Sequence, residues 1–135
     1  MPKGLAAVSA LSVDGDHTAA GVKADLQLAS DVLAEGGIIA IDHFLTPRAI
    51  GVSEGAYRFF RESGAQALRP FAYGANKLFV ANVEYHQLYR DSILSFAAET
   101  PDLPMIQEFE RQRKIGPEYV DQDLLGSKVL ILSGS

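Results

Sequence analysis

Two short runs with almost no polar face constrain this chain more than anything else in it. Leu5–Val13 reads Leu-Ala-Ala-Val-Ser-Ala-Leu-Ser-Val, and Ile38–Ile41 reads Ile-Ile-Ala-Ile. Segments apolar on both faces suit strands buried inside a parallel sheet. Between them, Val22, Leu26, Ala29 and Leu33 recur at helical spacing, with Lys23, Asp25 and Asp31 in the gaps. That pattern predicts an amphipathic helix over 18–34, capped by Asp16 or Thr18. Glu35-Gly36-Gly37 is expected to end it, a glycine taking the left-handed cap. Strand, helix and strand in this order imply a right-handed parallel crossover, hence an α/β fold.

The rest of the chain continues the alternation. Val52–Ser63 reads as a helix with Ala56, Phe59 and Phe60 on its inner face. Ala67–Tyr73 and Lys77–Ala81 are strand-like, joined through Gly74-Ala75-Asn76, and predict a β-hairpin. Glu84–Glu99 is helical until Pro101 and Pro104, Ile106–Lys114 is charged and amphipathic, and Val129–Leu132 suits a last short strand. The expected organisation is one α/β unit over 1–82 and a helical C-terminal extension over 83–135. Two parallel strands alone make a thin sheet, so further strands are expected upstream.

Composition narrows the function classes. The chain has 135 residues, 47% hydrophobic and 21% charged, which is globular rather than disordered. Its net charge of −5 argues against a nucleic-acid partner, which would need a basic stripe. The absence of cysteine removes disulfides, thiolate metal sites and cysteine nucleophiles. The run near Met1 is too short for a membrane span and lacks a clean cleavage pattern, so a cytoplasmic protein without a membrane partner is expected.

The chemistry-bearing residues gather where the two strands end. Asp14 closes the first and Asp42 the second, with His17 and His43 close by. Parallel strands joined by a crossover end on one sheet edge, the edge where open α/β sheets bind ligands. Neighbouring strands lie about 4.8 Å apart, so the two carboxylates would converge. Such a pair can hold a hard divalent cation, or orient a histidine that takes a proton from a substrate hydroxyl. The plainer alternatives stand beside this. Asp14 and Asp16 also suit turn or helix caps, and His43 a surface loop. His86 reads as structural or solvated, and Tyr85 with Tyr89 as packing. Gly51 and Gly55 make no phosphate loop, and no Gly-x-Gly-x-x-Gly is present.

The same residues carry a family resemblance. The run Val13-Asp14-Gly15-Asp16-His17-Thr18, then Gly21–Leu26, then Leu33–His43, resembles the fourth strand, following helix and fifth strand of class I S-adenosylmethionine-dependent methyltransferases. The nearest subgroup is the type called methyltransferase domain family 24. Gly51-Val52 and Ala56–Phe60 are similar to its next helix, and Phe71–Ala81 to the hairpin that closes the sheet with one antiparallel strand. The resemblance spans residues 5–82. It implies a partial Rossmann-like sheet of parallel strands, crossover helices and a C-terminal antiparallel hairpin. It implies O-methyl transfer from S-adenosylmethionine to a small hydroxylated molecule or sugar. His17 with Asp14 would be catalytic, and Asp14, Asp42 and His43 would hold magnesium where the metal-dependent pattern applies.

The first strand, glycine-rich loop and acidic ribose-binding residue of that family precede the matched region, so the chain is expected to correspond to a C-terminal half. Its first strand would then present an open edge. A homodimer, the C-terminal extension or a companion N-terminal half is expected to cover it. The competing functions are a non-catalytic dimerisation module derived from such an enzyme and, behind it, a metal-dependent hydrolase using Asp14 and Asp42.

Overall fold

A computed structural model describes residues 8–13, 18–64 and 67–134. The strands are β1 (Val8–Val13), β2 (Leu33–Asp42), β3 (Leu68–Gly74), β4 (Lys77–Asn82), β5 (Asp121–Leu124) and β6 (Ser127–Ile131). The α-helices are α1 (Ala19–Val32), α2 (Ile50–Phe59), α3 (His86–Glu99) and α4 (Pro104–Ile115). A π-helical turn, Phe60–Gly64, continues α2.

Helix α1 starts where the sequence predicts. Thr18 is extended, and its hydroxyl accepts from the Gly21 amide at 3.1 Å, satisfying one of the orphan donors of the first turn. Val22, Leu26 and Ala29 form its buried stripe. The expected glycine cap is not how the helix ends. Helix α1 stops at Val32, Leu33 is already extended, and the two glycines lie inside β2. They serve a bulge: the parallel pairing with β1 steps from Val8↔Leu33 to Ala10↔Ile38. Gly36 has φ +76°, which a side chain would strain, and it absorbs part of this slack.

The six strands form one open mixed sheet in the order β1-β2-β4-β3-β6-β5. Strands β1 and β2 are parallel, joined through α1. The β3–β4 hairpin folds back so that β4 enters between β2 and β3, antiparallel to both. Its turn residues Ala75 and Asn76 both have positive φ (52° and 63°), matching the twist of the two strands. The chain then crosses through α3 and α4 and returns as β6, parallel to β3, with β5 beside it as the far edge. The sheet is therefore continuous through residues 127–131, and Val129 lies in the same core as Leu26 and Ile41.

Helices α1 and α2 cover one face, over Val13, Ile39, Ile41, Leu78 and Val80. They cross closely at Gly55, where a Cβ would lie 2.7 Å from both the Ala19 carbonyl oxygen and the Val22 Cβ. Gly55 is thus a helix-contact residue. On the opposite face α3 and the turn before it pack Tyr85, Tyr89 and Ile93 over Phe71, Ala72 and Ala81. Tyr85 and Tyr89 stack at 5.6 Å; their hydroxyls donate to the Glu35 carboxylate and the Gly36 carbonyl. The pair is packing that clamps the bulge. His86 Nε2 lies 2.9 Å from the Lys128 carbonyl oxygen, a structural contact to β6. Arg90, buried on α3, makes a bidentate pair with Asp121 of β5 at 2.9 and 2.8 Å. No α-helix among the described residues is long and apolar enough to cross a membrane.

Candidate functional site

The carboxyl ends of β1 and β2 meet as neighbours at one sheet edge. Val13 pairs with Ile41, which brings β2 to its last residue, Asp42, at that edge. Asp14 and His17 lie outside the described residues. Because β4 runs antiparallel to β2, its first residue, Lys77, stands directly opposite Asp42 in register. The two form an ion pair: Lys77 Nζ donates to Asp42 Oδ1 at 2.8 Å. The same oxygen accepts the His43 amide at 3.0 Å, and Oδ2 lies 3.9 Å from His43 Nε2.

The Asp42 side chain is only 16% exposed, while Lys77 is about one-third exposed. The hydrogen bond from Lys77 lowers the Asp42 pKa, partial burial opposes this, and the His43 amide adds to the lowering. Asp42 is therefore held toward its ionised form, and its Oδ1 is already engaged by an ammonium.

The loop after β2 is pinned from several sides. His43 and Leu45 both have positive φ, near 60°, a conformation uncommon for residues other than glycine. The Leu45 amide donates to the buried Ser53 hydroxyl of α2 at 2.8 Å, and the Phe44 amide to the Asn76 carbonyl at 3.2 Å. Tyr73 donates its hydroxyl to the Phe44 carbonyl at 3.3 Å, and burial pushes its phenol pKa up. Phe44 itself is fully buried, edge-on to Tyr57 and Tyr73. These contacts fix the backbone that carries Asp42 and His43, which is how sheet ends hold chemical groups still.

Of the residues the sequence singles out, Asp42 and His43 sit together here. Among the described residues, no group of three His, Asp or Glu side chains is arranged to hold a metal ion. Lys77 is the member of the site that sequence reasoning missed. Its signal was the hairpin: once β4 is placed beside β2, the register sets the first residue of β4 opposite the last of β2. A second feature flanks β1. A groove of about 240 Å³ between β1 and α1 is lined by Leu11, Ser12, Val13, Asp25, Leu28, Ala29 and Val32, and Leu28 is 64% exposed. No family model matches this chain, and neither a curated protein nor a solved structure does.

Proposed function

We propose that the chain carries the later strands of an S-adenosylmethionine-dependent methyltransferase, acting on a hydroxyl of a small molecule or sugar. One observation carries this reading. Beside the parallel β1–β2 pair stands the β3–β4 hairpin with β4 antiparallel to β2, and parallel strands followed by an antiparallel hairpin are what the family resemblance implies. The fixed polar edge at Asp42, His43 and Lys77 supports it, because ligands of open α/β sheets bind at strand carboxyl ends. Methyl transfer is an in-line displacement from a sulfonium, so the protein's part is to position the acceptor and to receive its proton. The resemblance assigns the proton to His17, oriented by Asp14. The test is a calorimetric titration of the folded chain with S-adenosylmethionine, with and without magnesium. Saturable binding would support the reading by showing that these later strands keep a cofactor site; a folded chain that shows none would turn the assignment over to the second reading.

That second reading is an interaction module that pairs through β1. It is favoured by a contrast between the two sheet edges. The far edge, β5, is four residues long and carries Asp121 and Asp123. The near edge, β1, is six residues of Val-Ser-Ala-Leu-Ser-Val with no charge, and nothing among the described residues pairs with its outer side. The C-terminal extension completes the opposite end of the sheet, so of the candidate covers for β1 a second copy or a companion chain remain. A two-fold pair of β1 strands would close both edges and unite their flanking grooves. Replacing exposed Ala10 with lysine should turn a dimer into a monomer in sedimentation velocity; a wild-type chain already monomeric at all concentrations would rule out pairing between copies and leave only a companion chain for β1.

A further inference from the structure

The family resemblance implies a divalent cation at Asp42 in metal-dependent members, and the arrangement around Asp42 does not fit one. Its Oδ1 already accepts both the Lys77 ammonium at 2.8 Å and the His43 amide at 3.0 Å. Its Oδ2 faces the His43 ring at 3.9 Å. A hard cation takes carboxylate oxygens that face it with no competing cation. Here a magnesium ion on either oxygen of Asp42 would sit within a few ångströms of a like charge, in a partly buried site where screening is weak.

We propose that the Lys77 ammonium permanently holds the position at Asp42 that a divalent cation would take, so that the chemistry of this sheet edge is metal-independent. Lys77 is suited to this by its place in the fold. It is the first residue of β4, in direct register with the last residue of β2 and paired with Gly74 of β3, so two strands hold its backbone. An ammonium has three N–H donors, and Asp42 uses one. The side chain is about one-third exposed, which leaves donors to meet an anionic or developing alkoxide oxygen arriving from solvent. A fixed positive charge at that place would stabilise the acceptor oxygen as its proton leaves, the task a metal performs elsewhere. The presence of an acceptor there rests on the methyltransferase reading; the displacement of the metal does not.

The experiment is a titration with manganese alone, followed by calorimetry and by the loss of the free-ion electron paramagnetic resonance signal. It compares the wild-type chain, Asp42→Asn, Lys77→Met, Lys77→Arg and the double variant Lys77→Met with Asp42→Asn. Any weak manganese binding by the wild-type chain should be unchanged by Asp42→Asn, and Lys77→Arg, which keeps the charge, should bind no more tightly than wild type. Lys77→Met should bind at least about tenfold more tightly than wild type, because it keeps the stem and removes the charge. The double variant should lose that gain. Wild-type binding that disappears in Asp42→Asn would overturn the proposal, as would a folded Lys77→Met chain with no gain. Circular dichroism checks folding, and Lys77→Gln replaces Lys77→Met if the latter does not fold. Neither cosubstrate is present in these titrations, so the outcome is independent of whether the chain binds S-adenosylmethionine.

Discussion

At the scale of single residues, the candidate site is held by a few polar contacts that can each be removed. The Ser53 hydroxyl is buried and accepts the Leu45 amide of the loop after β2. In Ser53→Ala that amide loses its partner, and urea denaturation should show a loss of about 1–2 kcal/mol. Asp42 gives a pH signature. Its folded pKa lies below the ordinary value, so around that range the unfolded chain binds more protons than the folded one. The stabilisation by its pair with Lys77 is therefore full above about pH 4 and lost as the pH falls further. Unfolding midpoints measured from pH 6 down to pH 2.5 should fall less steeply for Lys77→Met than for wild type. Lys77 also shows what single residues conceal. A lysine at a strand start carries no motif, and its meaning comes from the residue opposite it.

At the scale of elements, apolar periodicity located the helices and strands well because burial decides them. Val22, Leu26 and Ala29 mark α1, and Ile39 and Ile41 mark β2, in the sequence as in the fold. Glycines were less legible, since a glycine says that a side chain is unwelcome without saying why. Gly36-Gly37 looked like a helix end and is a strand bulge, because extended pairing to β1 begins at Leu33 before the glycines are reached. Gly55 lay outside any motif and proves to be where α2 meets α1. Gly55→Ala would push a methyl against Ala19 and Val22. Thermal denaturation should register about 1–3 kcal/mol of destabilisation, with the α1–α2 contact as its source. The chemistry after β1 was proposed from Asp14 and His17, which lie outside the described residues, so that part of the site rests on the sequence.

At the scale of the whole molecule, an α/β sheet with parallel strands and a closing hairpin was legible from the order of segments. The far side of the sheet was not. A parallel β3–β6 pairing joins parts of the chain that no local pattern links, as the Ala75–Ser133 hydrogen bond across 58 positions illustrates. One asymmetry at this scale has a thermodynamic consequence. The sheet ends at one side in a short strand bearing carboxylates, and at the other in six uncharged residues whose outer amides and carbonyls no strand among the described residues claims. Whatever pairs with that second side binds the folded chain and not the unfolded one, so mass action ties folding to occupancy. If that pairing is between copies of the chain, its melting temperature will rise with protein concentration in differential scanning calorimetry, and the Ala10→Lys variant will melt at one temperature across the same range.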